Sequence, residues 1–304
     1  MYPELLRSYQ HSDLPHVLAF LGECLRDSNF CNFHPGDIAH WMSNSYRGKD
    51  LDRHFWLYEK DNVLLALLEL PPVEWAGYTP VIHPQHRGGE FEKSLLQYCE
   101  TTMWQRMQAE NSPERTISVS VAECDQERIT CLSLLGYHIS KRESEMRRRS
   151  LAKPIPTSVL PDGFTIRSVA GEHEAALLSE VHSSSFDSNW TAEKYLEVLH
   201  SPSFKMEHEL VVVAPDGRFA AFLIYWLDPI SKSGLFEPVG CHKEFRRRGL
   251  TKALMLEGMK RMIDAGMETA LVGNRVGNEA AAGLYESLGL KKFCEGLEYS
   301  KTMT

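Results

Sequence analysis

The sequence has no run approaching the roughly 20 apolar residues that a bilayer-spanning helix needs, so a helical membrane protein is not expected. Its first residues, Met1-Tyr2-Pro3-Glu4, lack the charged-then-apolar layout of a secretory leader. Cysteine is sparse and scattered: seven residues, at 24, 31, 99, 124, 131, 241 and 294, with no CxxC pair. Neither a disulfide framework nor a zinc site is expected, and the expected compartment is a reducing cytoplasm. Positive charge is also short. Lys and Arg number 33 against 41 Asp and Glu, a net charge of −8. That excludes a general nucleic-acid coat, so any phosphate site has to be a local basic patch. Also missing are a G-x-x-x-x-G-K-[ST] loop, a strand–GxGxxG–helix unit, and the kinase and nucleophile-elbow motif sets.

What is present is ordinary globular composition, 43% hydrophobic and 24% charged over 304 residues. That length suits two domains at about 100–200 residues each. A proline-rich stretch, Ser150 to Gly163, holds Pro154, Pro156 and Pro161 and reads as an extended linker. It divides the chain into units 1–150 and 164–304, joined by 151–163. Each unit reads as strand, two helices, hairpin, strand, long helix, strand, short helix, which predicts a mixed-sheet α/β fold used twice. In the second unit the predicted strands include Leu235–Cys241, interrupted by Pro238 and so expected to bulge, and Thr269–Val272. Two further strands are expected after Gly289.

The strongest chemical signal is Val239-Gly240-Cys241-His242-Lys243-Glu244-Phe245-Arg246-Arg247-Arg248-Gly249-Leu250-Thr251-Lys252. A strand leads into a basic, glycine-bearing turn that opens an amphipathic helix. Free N–H groups and the positive dipole end at such a helix start suit a pyrophosphate, and the arginines add charge. A second element, Asn278-Glu-Ala-Ala-Ala-Gly-Leu284-Tyr285-Glu-Ser-Leu-Gly289-Leu290, follows about thirty residues later across a strand.

Together these elements resemble the GNAT N-acetyltransferase superfamily. Arg246-x-x-Gly249-x-Thr251 is similar to its Gln/Arg-x-x-Gly-x-Gly/Ala motif, and the Asn278 helix to its Asn-x-x-Ala-x-x-Leu-Tyr-x-x-x-Gly-Phe segment, with Thr251 and Leu290 as departures. The resemblance implies tandem GNAT folds with acetyl-CoA as acyl donor, no metal, and a small-molecule or peptide amine as acceptor, the chain being a monomer or homodimer. It places the backbone of Val239, Gly240 and Cys241 along the pantetheine arm and acetyl group. It places Arg246, Arg247, Arg248, Gly249, Leu250, Thr251 and Lys252 at the pyrophosphate, and Asn278 at the pantetheine end.

Attack of a neutral amine on a thioester needs a base, an oxyanion donor and an acid for the leaving thiolate. Tyr285 matches the family's acid position. Read on its helix face with Ala281, Leu284 and Leu288, it also suits a core tyrosine. Glu237, beside Pro238 on the strand leading to the cradle, is the candidate base, or else an exposed strand-edge carboxylate. His242 is a weaker base candidate, Glu268 a poor one, and Cys241 lacks the partners of a nucleophile. A non-catalytic acyl-CoA sensor is the rival reading for the whole protein.

The first unit departs from the pattern. Aligned without gaps, Val81-Ile-His83-Pro-Gln-His-Arg87-Gly-Gly-Glu90-Phe-Glu92 puts Glu90 at the Gly249 position and Glu92 at Thr251. Asp125 and Leu132 fall at the Asn278 and Tyr285 positions. Two carboxylates at a phosphate cradle repel the ligand, so this unit is expected to keep the fold without acetyl-CoA. The run Phe33–Trp41 holds His, Asp and Trp near a helix start, which suits either a polar acceptor contact or plain helix initiation and packing. Arg147-Arg148-Arg149 reads as a solvated face.

Overall fold

The computed structural model describes residues 5–28, 33–43, 45–46, 48–201 and 203–304. In chain order, β1 (Leu6–Ser8) is followed by α1 (Leu14–Ser28), α2 (Pro35–Ser43), α3 (Leu51–His54), β2 (Phe55–Lys60), β3 (Val63–Glu69) and β4 (Thr79–Ile82). Then come α4 (Gly89–Ala109), β5 (Thr116–Ala122), α5 (Gln126–Leu134) and β6 (His138–Ser150). After the linker the order recurs: β7 (Thr165–Ser168), α6 (Ala175–Phe186), α7 (Ala192–Leu199), β8 (Glu209–Val213), β9 (Phe219–Asp228) and β10 (Ser233–Cys241). The chain closes with α8 (Leu250–Asp264), β11 (Thr269–Arg275), α9 (Glu279–Ser287) and β12 (Lys291–Thr302).

Local chemistry accounts for most boundaries. Thr191 and Asn278 cap α7 and α9, their side-chain oxygens accepting from Lys194 N (3.3 Å) and Ala281 N (3.1 Å). Gly266 turns left-handed just beyond α8. Met255, Leu256, Met259 and Met262 form the buried face of α8, whereas Ile263 at its edge is 40% exposed.

The strands form two sheets, β1-β2-β3-β4 and β5-β12-β6-β11-β10-β9-β8-β7. The order shows that the halves exchange their last strands. β6, from the first half, pairs antiparallel with β11, and β12, from the second, pairs antiparallel with β5; β6 and β12 also pair with each other. One parallel bridge, Gly77 to Ser118, links the two sheets. Where two strands were expected after Gly289, one long strand runs, kept in pairing by register shifts near Lys292, Gly296 and Glu298.

The exchange overturns the solvated reading of the triple arginine. β6 is buried between β12 and β11, so Arg147 is 3% and Arg149 8% exposed. Arg147 donates to Asn274 Oδ1 (3.0 Å), Glu286 Oε1 (3.0 Å) and Glu145 Oε2 (2.5 Å). Arg149 donates to the Leu288 carbonyl and to Pro154 O (2.7 Å). Buried guanidinium groups need such partners, since an unpaired one costs several kcal/mol. Arg148 points outward over the Phe293 ring.

The second half packs α8 and α9 on its sheet around Leu223, Phe236, Leu254, Met259 and Leu288. The first half has two clusters, one under α4 and one under α1 and α2. A smaller cluster, Ala39, Val198, Ile224, Trp226, Leu235 and Leu271, joins residues of both halves beneath α2. That cluster seats the first half's α2 against β9 and β10.

Candidate active site

β10 and β11 pair in parallel only from Ser233 to Phe236 and from Thr269 to Val272. Beyond that point they part. β10 continues on β9 with Val239, Gly240 and Cys241 opposite Leu223, Phe222 and Ala221, and β11 continues on β6. The bulge expected at Pro238 lies between Phe236 and Val239. Because Pro238 has no N–H and the bulge breaks the ladder, the β10 edge from Glu237 onward is released from β11. The outcome is a wedge between two parallel strands, with backbone polar groups along one wall.

The wedge leads to the start of α8. His242 Nδ1 accepts from Glu244 N (3.3 Å) to begin a short 3-10 turn at Lys243–Phe245. Arg246 is extended, then Arg247 and Gly249 take positive φ of 67° and 77°. Such alternation turns successive N–H groups toward one side and makes an anion-binding concavity at the helix N-terminus. Gly249 adopts its φ without strain, and an added Cβ there would meet nothing within 4 Å, so the approach is open. Arg247 is an L-residue held in the left-handed region, a cost that marks functional turns. Arg246 ties the turn down, donating to Cys241 O (3.3 Å) and Ser185 O (3.0 Å). Arg248 donates to Glu244 O (3.4 Å) and lies over the Phe245 ring. Arg247 and Lys252 are exposed at the mouth, and Thr251 is half-buried beside Cys241.

At the other end of the wedge stand Glu237 and Tyr285. Tyr285 is 6% exposed on α9. Burial raises its pKa above the ordinary value, and the Glu237 charge raises it further against an opposing effect of Arg147. Part of Glu237 remains open, yet enough protein surrounds its carboxyl to push its pKa up to about 8, with Asp37 as the second cause. Glu237 is thus half-buried rather than an exposed strand-edge carboxylate, and burial moves its pKa in the direction a general base needs. A cleft of about 300 Å3 opens beside Asn278, lined also by Arg147, Asn274 and Glu286.

Residues 175–290 match the model of the acetyltransferase (GNAT) family. The C-terminal half carries a GNAT acetyltransferase domain. A mycothiol acetyltransferase from Paenarthrobacter aurescens is 28% identical over 54% of this chain and 54% of its own length. The chain thus spans about half the length of the curated relative it matches. A GCN5-related N-acetyltransferase from Sphaerobacter thermophilus superposes with a TM-score of 0.66 at 19% identity, covering 98% of this chain and 95% of that one. A tandem GNAT protein from the clavulanic acid biosynthesis pathway gives 0.66 at 14% identity, covering 98% of both chains. At these identities the two structures establish the fold, here two GNAT folds in tandem.

Within the GNAT domain, the other candidates separate clearly. His242 is committed to its turn and lies 4.0 Å from Glu180. Glu268 is exposed and bonded to Lys232 (2.6 Å), away from the wedge. Burial raises the Cys241 thiol, which donates to Ala220 O (3.5 Å), so it is no thiolate nucleophile. Two residues beside the site escaped the sequence reading. Arg147 reads in sequence as a solvated charge, and Trp226, whose Nε1 donates to Glu237 O (2.7 Å), belongs to none of the motifs. Neither carries a local signal, because the partner in each case lies on another element. Among the described residues no cluster of three or more His, Cys, Asp or Glu could hold a metal, and no helix is long and apolar enough to cross a membrane.

The first half shows why its cradle differs. His83 and a 3-10 turn at Pro84–His86 match His242 and its turn, and Arg87 is extended like Arg246. The helix then starts at Gly89, two residues after Arg87, whereas α8 starts at Leu250, four after Arg246. The gapless alignment is therefore corrected: a two-residue shortening puts Gly88, not Glu90, at the helix N-cap. Glu92 reaches back over this end, accepting from Gly88 N (2.6 Å), Arg87 Nε (3.1 Å) and Arg128 Nε (2.7 Å). Arg87 also bonds Asp125. Burial alone would raise the Glu92 pKa, but the Arg128 and Arg87 charges and the Gly88 N–H outweigh it and hold it below its ordinary value. The charge expected to repel a phosphate instead closes this helix start itself.

Proposed function

We propose that the protein is an acetyl-CoA-dependent N-acetyltransferase, with its chemistry in the C-terminal half and a primary amine of a small molecule or peptide as acceptor. Units 1–150 and 164–304, joined by 151–163, are the two copies in this reading. The observation that carries it is the wedge between β10 and β11, which runs from the Arg247–Gly249 concavity to Glu237 and Tyr285. A pyrophosphate at one end and a thioester at the other fit this geometry. The likeness to proteins named mycothiol acetyltransferase puts small-molecule amines first among acceptors.

In this reading the backbone of Val239, Gly240 and Cys241 holds the arm, the turn from Arg246 to Lys252 holds the pyrophosphate, and Asn278 borders the arm. The neutral amine nitrogen bonds to the thioester carbon and the carbonyl pair moves to oxygen. As that pair returns, the C–S bond breaks. Glu237 accepts the proton the nitrogen sheds, and Tyr285 gives one to the leaving thiolate, whose conjugate acid is a comparable acid to a phenol. A proton then passes from Glu237 to the phenolate, closing the cycle.

Acetyl-CoA should raise the melting temperature, as a ligand bound by the native state does. A screen of CoA release across amine classes should then find turnover. A shift without release for any amine would favour the rival, an acyl-CoA-binding module. No shift at saturating acetyl-CoA would remove both readings.

A further inference from the structure

The first half does more than buttress the site. Its α2 lies across β9 and β10, and the contact is close: a Cβ on Gly36 would fall 2.3 Å from the Trp226 Cβ, so only glycine lets the helix seat there. The same Trp226 indole donates to the Glu237 carbonyl (2.7 Å). The residue after Gly36 is Asp37, whose Oδ2 accepts from His34 N (2.7 Å) and whose charge is felt by Glu237. We infer that the N-terminal half completes the acceptor site by placing the Asp37 carboxyl beside that of Glu237, so that the two act as one acidic pair for an amine arriving as an ammonium ion. This rests on the function proposed above.

Two carboxyls in a half-buried place cannot both ionise freely. They share protons, and their titration belongs to the pair. Burial pushes Asp37 up to about 7, and burial followed by the Asp37 charge pushes Glu237 up to about 8. An aliphatic amine enters protonated. Its ammonium compensates the charge that the pair otherwise resists, and one N–H proton moves to Glu237 and on to solvent, leaving a neutral nitrogen to attack and Glu237 ionised to accept the proton that the nitrogen sheds afterwards. The overall reaction releases one proton to solvent, because an ammonium and a thioester become an amide and a thiol. Asp37 acts through Glu237 and is a positioning residue.

The surrounding groups are compatible with this. His34 just before α2, His40 on α2 and His182 on α6 are pushed down to about 4, chiefly by burial, and are neutral at working pH. Asp228 at the end of β9 acts on His34, and Tyr285 on α9 is raised and stays protonated. Arg147 on β6 acts on Tyr285. On α1 and α7, which flank α2, the charges at Glu23, Arg26, Asp27, Glu193 and Glu197 are on exposed positions, with Lys194 half-buried and bonded to Asn189 O.

The test needs no known acceptor. Protein labelled with carboxyl-carbon-13 glutamate is titrated by NMR, with Glu237→Gln assigning the resonance. Asp37→Asn keeps an oxygen for His34 N and removes the charge, and Asp37→Ser does the same with a shorter side chain. Either should lower the Glu237 midpoint by about one unit, while Asp37→Glu restores it. An unchanged midpoint in a folded variant that still binds acetyl-CoA overturns the pair. With any amine that turns over, the acid limb of kcat/KM should move the same way. Absence of turnover in the wild type would sink the transferase reading while leaving the titration to judge the pair.

Discussion

Two helix starts in this protein follow the same kind of His-capped 3-10 turn and have opposite contents. At α8 the chain spends two extra residues and a left-handed Arg247 to leave N–H groups facing an open mouth. At α4 the turn is two residues shorter, and Glu92 fills the end with its own carboxylate, clamped by Arg87 and Arg128. A helix N-terminus attracts whichever anion reaches it. In one half that anion belongs to the fold and contributes stability; in the other the position is open, and is where we propose the pyrophosphate binds. The same physics therefore accounts for a structural bolt in one half and an open helix start in the other.

The comparison breaks most directly at Glu92. Glu92→Ala leaves the buried Arg128, 1% exposed at the side chain, without a carboxylate and Arg87 with Asp125 alone, and should cost about 3–5 kcal/mol in denaturant unfolding. It should leave the number of acetyl-CoA molecules bound per chain at one by calorimetry. A second bound molecule, in the variant or the wild type, would show that the first cradle still works. Next in size, Tyr285→Phe should lower turnover by about 100-fold or more with acetyl-CoA affinity nearly unchanged. Its counterpart Leu132 is fully buried, so Leu132→Ala should instead lower stability by about 2–5 kcal/mol. Equal kinetic effects at the two positions would erase the division of labour. Arg247→Glu should weaken acetyl-CoA about tenfold without a change in melting temperature of the free protein, since its side chain is exposed. A last effect is on pH-dependent stability. The Glu237 pKa is raised to about 8 in the fold, against about 4.3 for an unfolded glutamate. Its contribution is fully present below the unfolded value and is lost as pH rises through the folded one. Relative to Glu237→Gln, the wild type should lose urea resistance between pH 5 and pH 9, and a constant difference would mean that Glu237 titrates as a solvated group.

Much of the fold is readable along the chain because its causes are local. The stripe of Met255, Met259 and Met262, the caps at Thr191 and Asn278, and the stop at Gly266 each depend on residues within a few positions. The basic turn before α8 is legible for the same reason, since a turn and a helix start need only neighbouring residues. The bulge at Pro238 follows from one missing N–H. The helix-start alignment of the two halves misleads because a two-residue shortening leaves no mark in composition. Arg147 and Arg149 mislead because charge alone suggests solvent, whereas their partners Asn274, Glu286 and Leu288 arrive from the far half.

By itself the sequence determined the two copies, their elements, and which copy carries an open basic turn before its long helix, because each is written in residues close together. The tertiary structure decided the rest. Only the paired sheet reveals that β6 and β12 change sides, since any strand with a suitable face can satisfy a neighbour's open edge. Only packing sets Asp37 beside Glu237, across most of the chain, and raises both carboxyls toward neutrality. Burial is a property of what surrounds a group in space, and desolvation, which shifts these acids most, has no counterpart in sequence order.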